Sequence, residues 1–495
     1  MSTAATPLPP EERSPEERSL GDIPEIHAAH QPDRIAIRDH EGALTWAELD
    51  ARSHRLAWAM DRRGVGLGDY VTIGLPNSIG FLEAAIACWK VGAVPQPVSH
   101  RLPRGELEAV LDLVKPALVV ARPDLSTDRP TVTIDTLLAE DSGDRRFESR
   151  ISPAWKAPTS GGSTGRPKLI VAGQPGVMAS APVVIWRNEP DDVALMPGPL
   201  YHNGPFVSSI GALAAGGRLV LMPRFDPLAV MQAVQSERAT WVYLVPTMMS
   251  RIWGLGDAVR AQHDLSSLRT VWHLAAPCPP WLKKAWIDWI GAEAIWELYA
   301  GTEAQAVTVI NGAEWLAKPG SVGRVAVGEM QVFDENGTSQ PPGVTGEIYM
   351  HRPADAPPSY RYVGADARTL GDWESLGDIG WIDEDGFVFL ADRRTDMILV
   401  GGANVYPAEI EGALEEHPKV HSACVIGLPD DDLGNRVHAI IQAEDDLDLA
   451  ELEAHLAERL LPYKRPRSFE FAAEPLRDDA GKVRRSQLRT ERLKG

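Results

Sequence analysis

The chain has 495 residues, more than one hydrophobic core usually serves, so two or more domains are expected. A formal charge of -20 argues against nucleic acid and anionic membrane surfaces as partners, and the apolar residues never gather into the roughly 18-residue run of a membrane span. Cys88, Cys278 and Cys424 lie far apart, without the spacing of a disulfide framework or a zinc site, which fits a reducing, cytoplasmic setting.

Residues 1–20 are rich in Pro, Glu and Arg, hold no apolar stretch and read as a disordered leader. From about Ile35 to Leu390, short β-branched runs alternate with amphipathic stretches, the pattern of parallel sheets covered by helices. Strands are expected at Val71 to Leu75, Ala117 to Ala121, Arg218 to Met222 and Trp241 to Val245. Helices are expected at Gly80 to Val91 and Gly105 to Lys115. The final hundred or so residues read as a small α+β unit. Pro407 opens a helix, strands follow at Val420 to Ile426 and Arg436 to Gln442, and a helix near Leu449 to Leu460 precedes a short strand at Ser468 to Phe471. The charged stretch 391–396 (ADRRTD) is the expected hinge. It separates a large α/β domain of mixed and parallel sheets, 21–390, from a small C-terminal domain, 397–495.

The strongest local signal is TSGGSTGRPK, Thr159 to Lys168. Gly161, Gly162 and Gly165 permit turns closed to other residues, while Ser160, Ser163 and Thr164 turn hydroxyls and backbone N–H groups toward an anion. This is a phosphate-cradling loop, but not the P-loop of kinases and GTPases, whose pattern ends in Gly-Lys-Ser/Thr.

With LYAGTE at Leu298 to Glu303, GDIG at Gly377 to Gly380 and DAGKVR at Asp479 to Arg484, the loop resembles the adenylate-forming superfamily. That superfamily contains acyl-CoA synthetases, nonribosomal peptide synthetase adenylation domains and beetle luciferases. The resemblance runs from about Ile23 to Arg489 with the motifs in the family's order. It implies that Thr159, Ser160, Gly162, Ser163, Thr164, Gly165 and Lys168 hold the β- and γ-phosphates of ATP. It further implies that Ala275, Ala276 and Pro277 lie against the purine, Tyr299 packs near the adenine, Asp378 accepts both ribose hydroxyls and Arg393 touches the ribose. Thr302 would bond the α-phosphate and Glu303 would offer its carboxylate to Mg2+. Lys482 would neutralise the charge that gathers when a carboxylate attacks the α-phosphorus.

By the same resemblance Gly402 lies under a pantetheine arm, Thr395 stands at the pivot of a mobile lid, and His202 sits beside the acyl pocket. Tyr201, His273, Ala300, Gly301 and Ala306 are expected around that pocket. Gly161 and Ala300 depart from the family's usual Ser and Gly, and Thr395 replaces a charged pivot residue. The Trp281, Trp286 and Trp289 cluster reads as helix packing. The implied activity is ATP-dependent formation of an acyl-adenylate from a carboxylic acid, followed by transfer to coenzyme A. An amine acceptor, as in amide-bond synthetases, and a non-catalytic nucleotide-binding protein are the alternatives. A monomer or homodimer is expected.

Overall fold

The computed structural model describes residues 14–493 apart from 126, 142, 144, 162–166, 354, 355, 431, 479 and 480. The chain divides into two compact units. One comprises Met1–Phe225, Ser236–Tyr243 and Ala354–Asp366; the other comprises Asp226–Gln235, Leu244–Pro353 and Ala367–Gly495.

In the first unit, strands Trp241–Leu244, Val193–Met196, Arg218–Leu221 and Ile35–Arg38 run parallel, with Ala43–Thr45 antiparallel at the edge. A separate parallel sheet has the order Val94–Pro97, Tyr70–Gly74, Leu118–Ala121 and Thr131–Val132. The helices that connect these strands follow from caps as well as periodicity. Ile79–Val91 starts where the Ser78 side chain accepts the Phe81 N–H, and it stops at Gly92, whose φ of 79° favours a residue without Cβ. A three-stranded antiparallel sheet, Tyr360–Val363, Pro167–Ala172 and Thr159–Gly161, carries the two flanks of the glycine-rich loop.

Residues 14–20 do not behave as the tail end of a disordered leader. Leu20 is fully buried and its N–H donates to Gly176 O at 2.9 Å, while Ser19 Oγ donates to Trp89 O at 3.2 Å. The polar composition of this stretch hides a single apolar anchor, Leu20. Residues 1–13 lie outside the described residues.

In the second unit, Thr270–His273 and Ile295–Tyr299 are parallel, and the parallel pattern then ends. Val307–Asn311, Ser321–Val327, Phe387–Arg393, Trp373–Ile382, Gly346–His351 and Glu329–Phe333 pair antiparallel in that order. Parallel neighbours need a crossover of a dozen or more residues, and the connections of Val307–Asn311 to its partners on either side are shorter than that. Further along, Val420–Asp430, Gly434–Ala443 and Ser468–Phe471 form a sheet covered by helices Pro407–Glu415 and Leu449–Arg459. Its apolar core includes Val405, Ile410, Leu414, Val425, Ile441 and Leu452. The expected hinge, 391–396, falls inside this second unit. Its first half ends the strand Phe387–Arg393, and Asp396 is bonded to Arg485 at 2.8 Å. No helix among the described residues is long and apolar enough to cross a membrane.

Candidate active site

Strand Ile295–Tyr299 delivers Tyr299 to the site, and its hydroxyl donates to Asp378 Oδ2 at 2.6 Å. Asp378 lies in strand Trp373–Ile382, opposite Arg393 in the antiparallel ladder, and Arg393 Nε stands 3.3 Å from Asp378 Oδ1. Oδ2 therefore has a donor and Oδ1 a cationic neighbour, and both keep lone-pair capacity. Burial, and then the Asp378 charge, hold the Tyr299 phenol well above its ordinary pKa, so it stays a donor.

The turns beside this network are strained. Ala275 and Ala304 hold φ values of 75° and 52°, a left-handed conformation that a non-glycine residue adopts at a cost of about 1 kcal/mol or more. Between them, Gly301 has no room for a side chain, because a Cβ would lie 2.4 Å from Leu376 Cδ1 and 2.8 Å from Glu303 Oε2. Glu303 itself is buried, with Ala300 and Thr302 half-buried beside it.

Lys482 joins this group from near the end of the chain. Its turn is closed by Asp478 N–H to Lys482 O at 2.9 Å and by Lys482 N–H to Asp478 Oδ1 at 2.9 Å. Gly481, with φ of 75°, seats the turn where a Cβ would meet Thr247 Oγ1 at 2.8 Å and Val245 Cγ2 at 3.4 Å. The lysine keeps exposed surface, but the crowding around it lowers its pKa from the ordinary value. Asp478 opposes that shift, Arg393 adds to it and Glu303 opposes it. Lys482, Arg393 and Glu303 thus lie within electrostatic reach of one another, although three separate motifs supply them.

In the first unit, Thr159 pairs with Leu169 and Ser160 with Lys168 across a hairpin. Gly162, Ser163, Thr164 and Gly165 lie outside the described residues. Lys168 Nζ donates to Tyr362 Oη at 2.8 Å and sits 4.0 Å from the centre of its ring. Sequence reasoning missed Tyr362; the alternating Tyr-Arg-Tyr of strand Tyr360–Val363 was the available signal. His202 is the N-cap of helix Asn203–Ala215, with its ring 4.4 Å from that of Tyr201. Buried Lys156, another residue missed, donates to Asn203 Oδ1 on the same helix.

Several expected site residues are placed otherwise. His273 has no exposed surface and lies 3.9 Å from Glu297, whose carboxylate binds Lys283. Burial, and then the Lys283 charge, keep its imidazole neutral, so it is a core histidine and not a pocket wall. Ala306 is likewise fully buried, packed where a side chain on Gly328 would strike it. Ala275 and Pro277 are exposed and Ala276 is half-buried. Gly402 is exposed, and with Gly401 it forms the turn between Val400 and Ala403, at φ values of 54° for Gly401 and 84° for Gly402. Nothing lies within 4 Å of a Cβ on Gly402, so at that position the backbone of the turn, rather than crowding, demands glycine. Thr395 is exposed beside Asp396. Trp286 and Trp289 stack edge to face at 5.1 Å on one helix.

The sequence matches the AMP-binding enzyme family over residues 24–357. It also matches the AMP-binding enzyme C-terminal domain over residues 409–482. The chain belongs to this adenylate-forming family and is an enzyme of the ligase class. Among its relatives, feruloyl-CoA synthase of Amycolatopsis sp is 32% identical, over 95% of this chain and 99% of the relative. The amide bond synthetase McbA from Marinactinospora thermotolerans is 25% identical with a TM-score of 0.79, covering 96% of this chain and 99% of that one. The o-succinylbenzoate CoA synthetase of Bacillus subtilis, solved with its acyl-adenylate intermediate, shares the fold at a TM-score of 0.82 and 24% identity, covering 94% of this chain and 97% of that one.

Proposed function

We propose that this enzyme converts a carboxylic acid and ATP to an acyl-adenylate and pyrophosphate, then transfers the acyl group to coenzyme A. The observation that carries the reading is the gathering of Lys482, Glu303 and the Tyr299, Asp378 and Arg393 network.

In this reading the spare lone pairs of Asp378 accept the ribose hydroxyls, while Tyr299 and Arg393 hold the carboxylate in place. Loop 159–168 binds the β- and γ-phosphates, and Thr302 bonds the α-phosphate. Glu303 suits Mg2+, because a magnesium site commonly takes one or two carboxylates and completes its shell with phosphate and water. Bound there, the ion would neutralise triphosphate charge. The substrate carboxylate oxygen attacks the α-phosphorus as the bond to pyrophosphate breaks, and Lys482 stabilises the negative charge on the transferring group. In the second step the thiol sulfur of coenzyme A attacks the acyl carbon, AMP leaves and the thiol proton passes to solvent. A rotation about 391–396 would withdraw Lys482 between the steps, with Thr395 at the pivot and the Gly402 turn facing the acceptor.

An aromatic acid is the favoured substrate, supported by the likeness to feruloyl-CoA synthase. An amine acceptor is the second reading, favoured by the likeness to McbA and by the absence of crowding at Gly402. A panel of aromatic, alicyclic and fatty acids with ATP and Mg2+ tests both. Pyrophosphate release identifies the acid, and mass spectrometry with coenzyme A, or separately with simple amines, identifies the acceptor. Pyrophosphate from none of the acids would overturn the proposal.

A further inference from the structure

We propose that Glu411 is the positioning residue for Lys482, acting through two arginines that bracket the lysine turn. This rests on the role given to Lys482 above.

Glu411 is buried on helix Pro407–Glu415, and its carboxylate accepts three hydrogen bonds. Oε1 accepts the Val425 N–H at 2.7 Å and an Arg485 guanidinium N–H, while Oε2 accepts Arg477 Nη2 at 3.3 Å. Each arginine carries the linkage onward. Arg477 Nη1 donates to Gly481 O at 3.3 Å, the carbonyl next to Lys482, and Arg477 Nη2 donates to Ala423 O at 3.1 Å. On the other flank, Arg485 donates to Val425 O at 3.2 Å and to Asp396 Oδ2 at 2.8 Å. The lysine turn is consequently held from two sides. Gly481 presses against Thr247 on one, and the Glu411 hub grips residues 477 and 485 on the other.

A guanidinium fork bonded at several points fixes direction as well as distance, and a carboxylate is the partner that satisfies two forks at once. Glu411→Gln keeps the shape, removes the charge and turns an NH2 group toward guanidinium. The two arginines would then seek other acceptors and the 478–482 turn would lose its registration against the site. Misplacement of a catalytic group by about 1 Å costs on the order of a hundredfold in rate.

The test compares the two half-reactions in Glu411→Gln, using ferulate or whichever acid of the panel turns over fastest. Pyrophosphate release at saturating ATP is expected to fall by roughly 10- to 100-fold with little change in KM for ATP. Conversion of supplied acyl-adenylate to product should stay within about threefold of the native rate, because that step does not use Lys482. Arg485→Lys, which keeps the charge but not the fork, should show the same selectivity at smaller size, and it decides the matter if Glu411→Gln does not fold. Equal loss in both half-reactions, or no loss in either, would overturn the role of Glu411. Lys482→Ala run in parallel separates the two ideas. If that variant loses both half-reactions equally, the assignment of Lys482 fails; if it is selective and Glu411→Gln is not, only the present inference fails.

Discussion

Two buried charge clusters in this enzyme are built on opposite plans. In the first unit Lys90 is fully buried, yet its Nζ is 3.8 Å from Asp50 and makes no hydrogen bond among the described residues. Asp22, also fully buried, has no hydrogen-bond partner among those residues for either carboxylate oxygen. In the second unit Glu411, Arg477 and Arg485 are fastened to one another and to backbone groups at Gly481, Ala423 and Val425. Charges that act only through space attract without directing, whereas charges tied by several directional bonds set the position of their neighbours. The tightly tied cluster is the one whose arginines flank the lysine turn, with Arg477 bonded to Gly481 O.

The first cluster also has the outline of a metal site, since Glu25, Asp50 and His54 converge. Its hydrogen bonds argue against one. His54 Nδ1 accepts the Phe147 N–H at 3.0 Å, so the ring proton belongs on Nε2, which points to Asp50 Oδ1 at 3.3 Å. No ring lone pair is left for an ion.

The contrast can be broken by mutation, and the largest effect is expected at Lys482. Lys482→Ala should slow pyrophosphate release by about 1,000-fold while sparing reaction of supplied acyl-adenylate, measured by single-turnover kinetics of each step. Next comes Gly481→Val, which forces a β-branched residue into a left-handed backbone and against Thr247. A drop of roughly 10- to 100-fold in the same half-reaction is expected, and an unchanged rate would show that the turn need not sit where it does. Lys90→Met should behave differently in kind. It removes a charge whose burial cost outweighs its attraction to Asp50, Asp22 and Glu25, so stability in urea unfolding should hold or rise by about 1–2 kcal/mol, with the ratio of the half-reactions unchanged.

A pH dependence is expected at Glu415, one turn along from Glu411. Burial pushes its carboxyl up to about 7 from 4.5; Arg477 pulls the other way and Glu411 adds to the rise. An acid with a raised folded-state pKa contributes stability that is full below 4.5 and is lost as pH rises through about 7. Glu415→Gln lacks that titration, so its stability relative to the native enzyme should improve by roughly 2 kcal/mol between pH 5 and pH 8. A difference that stays flat across this range would place Glu415 outside the desolvated part of the cluster.

Much of the local architecture was legible in the residues. The helix expected at Gly80 to Val91 is observed at Ile79–Val91, and the strand expected at Ser468 to Phe471 matches residue for residue. Capping by Ser78, the left-handed Gly92 and alternating apolar positions act over a few residues, so they can be read from a few residues. The antiparallel run after Ile295–Tyr299 was less legible, because short apolar strands look alike whichever way their partners run.

The sequence by itself determined the family: a glycine-rich loop at 159–168, LYAGTE at 298–303, GDIG at 377–380 and a lysine after a glycine at 482, in the family's order. Those assignments depend on residue type and spacing, which folding does not alter. Only the tertiary structure decided which of those residues meet. It set Lys482 within reach of Glu303 and Arg393, sealed His273 and Ala306 in the core, and made Glu411 the anchor of the lysine turn. Burial and convergence arise from packing between segments apart in sequence, 66 residues for Glu411 with Arg477 and 74 for Glu411 with Arg485, and no local pattern of side chains encodes them.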